Sequence, residues 1–377
     1  ECEAEPHEEK EYIMDKIKKV SMSNENVAVS KPRNSNLELF RIIVMFLIVL
    51  HHSIVNSGLV PLIEADFPST KSTILAFFGC AGKIGINCFV LITGYFMCTS
   101  KITLRKGLKL LLEIEFYKIA IFAIFVATGY IHLSFKSIFN GIMPVTSISD
   151  GFVSCYLVFY CFIPFLNILI QGMNKRLHLI LISLCLLAYS LPAQVFMTVS
   201  FNYVGWFMVV YFIAAYFRLY PPQWSMSAKY TGLFALLFWT ISLCCVWGWA
   251  QYCVYRGKPP SFFFFVADSN KPLAIATAVS FFLFFKNLKL GYSRVINTIA
   301  ASAFGVLLIH ANSEAMRQWL WLETLDNVGH YSIDIFAHVI VGVLLIYAVC
   351  TLIDLVRIHL LEKPVFKVID SYLEKKH

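Results

Sequence analysis

Ten apolar stretches recur along this chain, most of them near the ~20 residues that a helix needs to cross a lipid bilayer. They run over 37–56, 74–98, 108–131, 152–171, 177–193, 203–219, 229–249, 271–286, 296–313 and 335–357. Hydrophobic residues make up 58% of the chain and charged ones 14%, more apolar surface than a water-soluble domain can hide. Strand-like alternation is absent over these lengths, which argues against an outer-membrane barrel. The expected fold is therefore an all-α polytopic membrane protein with about ten transmembrane helices.

An even number of spans puts both ends of the chain on one side. With the N-terminus inside, 23 of the 31 Lys and Arg fall on the inner side and seven on the outer, with Lys118 inside a span. That bias is the positive-inside pattern of an N-in, C-in protein. The net charge of +8 thus belongs to topology and gives no reason to expect a nucleic-acid partner. Residues 1–35 read as a charged cytoplasmic lead-in without the apolar core of a signal peptide, 36–360 as the membrane domain and 361–377 as a cytoplasmic tail. The eleven cysteines include no metal-spaced CxxC pair. Cys80, Cys88, Cys98, Cys155, Cys161 and Cys350 lie in apolar segments and read as small buried hydrophobes, with no metal expected. No internal repeat is visible, which weakens a reading built on inverted-repeat transporters.

The first span carries polar residues where lipid would suit only apolar ones. Ser35 and Glu38 have the spacing of a capping box, which would start the helix. Arg41 and His52 are eleven residues apart, about 20° from a whole number of turns, with His52 about 16 Å further along the axis. Glu38 lies roughly 60° from Arg41 on the same stripe, and His51 about 80° off the arginine's line. Ionisable groups at that depth are costly and usually face a bundle interior or a wet path. The plainer alternative is an interfacial arginine with a histidine that bonds a neighbouring helix.

The stretch "LELFRIIVMFLIVLHH" resembles the first span of the acyltransferase-3 family, whose signature is an arginine, ten residues, then a histidine. Arg41 and His52 match that spacing and His51 does not. The resemblance extends from Asn34 to about Leu360, through "INCFVLITGYFM" with its Thr93-Gly94-Tyr95 step, the basic loop "SKITLRKGLKLL", "CYLVFYCFIPFLN", "WFMVVYFIAAYFRLY" and "SAFGVLLIHAN". It is nearest to the cell-surface glycan O-acyltransferases. One departure stands at Asp150-Gly151-Phe152, where relatives commonly carry an aromatic pair, and it bears on the acceptor-side pocket.

This resemblance implies acetyl-CoA or another short acyl-CoA as donor, used from the inner side of a bacterial-type inner membrane. The acceptor would be a hydroxyl of a glycan or glycolipid. His52 then suits a general base, since a histidine titrates near neutrality and a sugar hydroxyl is a poor nucleophile. Glu38 or Arg41 would influence its environment, and Arg41 could hold a CoA phosphate or the acyl carbonyl.

Arg105, Lys106 and Lys109 are the expected contacts for the phosphates of CoA, with Arg105 and Lys109 on one helical face, although positive-inside topology alone also explains them. His310, a lone span histidine where the family tends to carry one, is the expected acceptor-orienting residue. Lys83 reads as a cation that snorkels to the interface, and Lys118, His338 and Asp354 as structural. The rival reading is a transporter or flippase for a glycan or small anion.

Overall fold

The computed structural model describes residues 35–149, 151–194, 199–200 and 202–374. Residues 1–34, and with them nearly all of the expected lead-in, lie outside the described residues, as does Asp150. Fifteen helices of eight or more residues account for most of what is described, and no strand occurs among the described residues. In chain order they are α1 (Ser35–Val55), α2 (Leu59–Asp66), α3 (Thr70–Gly79), α4 (Gly82–Met97), α5 (Leu104–Ala127) and α6 (Phe135–Ile142). There follow α7 (Phe152–Gln171), α8 (Lys175–Tyr189), α9 (Tyr203–Leu219), α10 (Ala228–Tyr255) and α11 (Pro272–Asn287). The last are α12 (Arg294–Ala301), α13 (Ala303–His310), α14 (Ile335–Arg357) and α15 (Lys363–Glu374).

Each of the ten apolar stretches lies on one of these helices or on a consecutive pair. Among the described residues six helical segments, with α3–α4 and α14–α15 each taken as one, are long and apolar enough to cross a membrane, and a seventh is reached if Arg294–His310 and Glu314–Thr324, bent by 93°, count as one broken span. The expected number of about ten is not reached by that measure. α9 and α11 are shorter apolar helices. α5 carries Arg105, Lys106, Lys109, Glu113, Glu115 and Lys118. The protein is an integral membrane protein: Leu184, Leu187, Leu233, Leu236, Leu344 and Leu345 all stand exposed on its helices, an arrangement suited to lipid.

α9 forms the centre. Tyr203, Trp206, Phe207, Val210, Tyr211 and Ala214 are buried around its circumference, the pattern of a helix enclosed on all sides. Its neighbour α4 comes close because Gly94 has no side chain: a Cβ there would lie 2.8 Å from Ala214 Cβ and 3.2 Å from Tyr211 Cα. The contact is the small-residue packing that membrane helices use when water supplies no driving force between them. Polar bonds hold the same seam. The Trp206 indole donates to Asn87 Oδ1 at 2.8 Å, and Asn87 Nδ2 donates to the Ser269 carbonyl at 2.7 Å.

The start of α1 differs in detail from the capping box expected for it. Ser35 Oγ accepts from the Ser293 backbone N–H at 2.9 Å and donates to Asn297 Oδ1 at 3.3 Å, while Glu38 turns to Arg41. A tertiary partner has replaced the local one. Of the cysteines read as buried, Cys80, Cys88, Cys98, Cys155 and Cys350 are, whereas Cys161 is exposed.

A buried ion network ties α5 to α14 and the segment after it. Arg357 reaches Asp354 Oδ1 (2.8 Å), Glu362 Oε2 (2.9 Å) and Glu113 Oε1 (3.1 Å). The Tyr117 hydroxyl donates to Asp354 Oδ1 at 2.7 Å. Asp354 packs against Gly305 of α13 so closely that a Cβ there would lie 2.3 Å from the carboxylate carbon. Gly305→Ala is therefore expected to destabilise the protein by about 1–3 kcal/mol, the usual scale for overpacking. A lowered thermal midpoint in detergent checks this, and an unchanged midpoint would show that the network moves aside freely.

Candidate active site

His52 lies in the last turn of α1, and its Nδ1 is 3.0 Å from Nε2 of His310. His310 is the final residue of α13, fully buried, with its Nδ1 2.6 Å from the Val306 carbonyl oxygen one turn earlier. A carbonyl only accepts, so a neutral His310 carries its proton on Nδ1 and offers a lone pair at Nε2. His52 then donates through Nδ1, and its Nε2 is left unprotonated. Two imidazoles in series thus assign their own tautomers, and the outer one is a base.

The helix ends suit this assignment. Both rings lie where the carbonyl ends of α1 and α13 favour positive charge, an effect of about 0.3–1 kcal/mol each in exposed helices. Trp321, fully buried, sets its ring edge-on to His310 with centroids 6.2 Å apart and fixes the inner imidazole from behind.

His52 lines a cavity of about 360 Å³. The N-terminal turns of α4 and α7, both without a side-chain cap, form part of its wall through Gly82, Lys83 and Gly151–Ser154. Gly151 and Phe152, the departure noted in the sequence, are therefore cavity residues. His51 lines the same cavity, contrary to the phase argument that set it off the functional face. The reason is the close approach of α4. The His51 ring bonds the Gly79 carbonyl through Nδ1 and lies over Gly82, where a Cβ would fall 2.2 Å from the ring. That contact widens the face of α1 that meets the cavity.

Arg41 and Glu38 share the stripe expected of them but do not line the cavity. They pair with each other at 2.8 Å, so the structure gives Glu38 a clamp on Arg41 in place of a direct part in the His52 environment. Against Phe152 of the cavity wall stands Tyr156. Its hydroxyl is 2.9 Å from Thr93 Oγ1, and its ring stacks on that of Phe152 with centroids 5.6 Å apart.

Arg105, Lys106 and Lys109 lie on α5 near the end of the bundle remote from His52. Arg105 donates to both carboxylate oxygens of Asp370, at 2.7 and 2.9 Å. Lys109 pairs with Glu362 at 2.6 Å, and Lys106 Nζ donates to the Lys101 carbonyl at 3.1 Å. With Lys363, Phe366 and Lys367, the arginine, Lys109 and their acids border a groove of about 500 Å³. Arg105 and Lys109 of the expected cluster thus form a surface, but α15 and the residue before it partner them, and Lys106 does not border the groove. Lys101 lies in the basic loop, whereas Asp370 and Glu362 are more than 250 residues away in sequence, so no local pattern announces those two pairings.

Several cavity residues escaped the sequence reading. Lys83, expected at the interface, donates to the Tyr203 hydroxyl at 2.6 Å and lies 3.9 Å from Asp268. Lys118, read as structural, is a wall residue too, as are Tyr203 and Asn312. The one signal for the lysines was a charge inside or beside an apolar stretch.

A family model described as an acyltransferase domain matches residues 34–355, which is most of the chain. No curated protein and no solved structure matches it.

Proposed function

The chain belongs to the acyltransferase-3 family, and from that premise we propose that it transfers an acetyl or other short acyl group from acyl-CoA to a hydroxyl of a glycan. The observation that carries the reading is the His52–His310 pair, which leaves an unprotonated imidazole nitrogen on the wall of a cavity inside the matched domain. In this reading His52 Nε2 takes the proton of the acceptor hydroxyl as its oxygen attacks the thioester carbonyl. The tetrahedral intermediate then breaks its C–S bond, and the imidazolium returns the proton to the departing thiolate, so no net proton is consumed. His310 holds the tautomer and shares the positive charge.

The donor would enter from the end of the bundle that carries Arg41, with the acceptor at the His52 end, about three helical turns away. That arrangement rests on the N-in, C-in orientation read from the charges. Arg105, Lys106 and Lys109 would meet the phosphates of CoA by exchanging Asp370 and Glu362 for a stronger anion. The Arg105 pair is half-exposed and contributes little by itself, so releasing Asp370 costs little, while Glu362 keeps its bond to Arg357.

The test uses the full chain in proteoliposomes. Acetyl-CoA on the Arg41 side with glycan on the other is expected to give acetylated glycan and free thiol, and reversing the donor's side is expected to give neither from that orientation of protein. Passage of unmodified glycan at a rate that depends on His52 would make the protein a transporter instead.

A further inference from the structure

We propose that the acceptor carries a negative charge, a carboxylate or a phosphate, close to the hydroxyl that is acylated, and that Lys83 and Lys118 hold it. This rests on the acyltransfer reading and adds the chemical class of the substrate. Among the described residues that line the His52 cavity there is no aspartate or glutamate, while both lysines are in the wall.

Neither ammonium has a carboxylate within hydrogen-bond distance, although Glu115 precedes Lys118 by one turn on α5. Lys83 is bonded to a neutral phenol and reaches Asp268 at 3.9 Å, and that acid is half-exposed and not part of the wall. Lys118 donates to the Met143 carbonyl, also neutral. The uncapped first turns of α4 and α7 add the positive ends of two helix dipoles to the same space. The histidines cannot offset this, being neutral before reaction and positive during it. Partly buried cations of one sign, gathered around a cavity within a membrane domain, are unfavourable unless an anion joins them. A neutral sugar would leave that charge only partly offset, by Asp268 and Glu115, neither of them in the wall.

The cavity also has a direction. Lys83 lines the same cavity as His51 and His52, so its ammonium shares that space with the base. An anionic group bound there would place a neighbouring hydroxyl of the same sugar within reach of His52. The hydroxyl selected is then the one whose distance from the charge matches the separation of Lys83 from His52.

Two measurements on the purified full-length chain test the proposal, with matched tetrasaccharides of galacturonate, of galactose 6-phosphate and of galactose as probes. Equilibrium binding without donor is expected to favour at least one anionic probe over the neutral one by about tenfold or more, the scale of a hydrogen bond to a charged group. Lys83→Met with Lys118→Met should remove that preference, and Lys83→Arg should keep most of it. The galacturonate and phosphate arms say which anion fits. Equal binding of all three probes, or a preference that survives the double variant in folded protein, would overturn the proposal.

Turnover with acetyl-CoA separates it from the reading beneath it. Thiol release that depends on His52 but proceeds equally well with neutral and anionic probes sinks the charge proposal alone. Release that is slowed to the same extent for all three probes by Lys83→Met would instead assign that lysine to the reacting thioester and also overturn it. If no probe elicits release that depends on His52, the acyltransfer reading falls, and the substrate class inferred from it falls too.

Discussion

His52→Ala is expected to lower acyl transfer by more than about a hundredfold at equal membrane abundance, the loss usual for a positioned base. Of the two imidazoles that line the cavity, only this ring has a second imidazole bonded to its Nδ1 and a free Nε2. His51→Ala should keep a substantial part of the activity. His51 lines the cavity, but its Nδ1 proton goes to the Gly79 carbonyl, which cannot relay it.

His310→Ala should fall between the two. Its signature would be a changed pH profile, since His52 would lose the partner that selects its tautomer. Rates of thiol release from acetyl-CoA, measured across pH for the three variants and the parent, check the order. Parental activity in His52→Ala would remove that residue from the mechanism.

Arg357→Met is expected to be the most destabilising substitution outside the cavity. It would leave Glu113, Asp354 and Glu362 facing one another around an empty site, with Lys109 the sole remaining cation of the network. Removing one partner of a buried charge pair costs about 3–5 kcal/mol. Asp354 Oδ2 already lacks a hydrogen-bond partner, so the network holds no spare donor to compensate. The thermal midpoint and folded yield in detergent should both drop sharply, and Glu362→Gln, which keeps a neutral acceptor for Arg357, should cost less. An Arg357→Met protein with the parent's midpoint would mean that the carboxylates are protonated or reached by water.

Periodicity and composition sufficed for the helical class because lipid imposes it. Every backbone group in hydrocarbon must be bonded within its own helix, so apolar length alone announces a helix. The same constraint made Arg41 and His52 legible, since a charge or imidazole in such a stretch stands out, and their common stripe follows from 3.6 residues per turn. The family was legible for a related reason, as its signature is a spacing within one helix.

Only the tertiary structure decided what those residues meet. His52 lies against His310, 258 residues later, because α1 and α13 end side by side. Glu38 turned to Arg41, and Ser35 to Asn297, because partners from the packed bundle or the next helical turn outcompeted the local cap. His51 reached the cavity because Gly82 leaves its ring room, which is a property of the contact and of neither helix alone. Arg105 and Lys109 of α5 found carboxylates near the far end of the chain. Helical phase says which way a side chain points along its own axis. Which neighbour stands there, and with what charge, is set by how the helices pack.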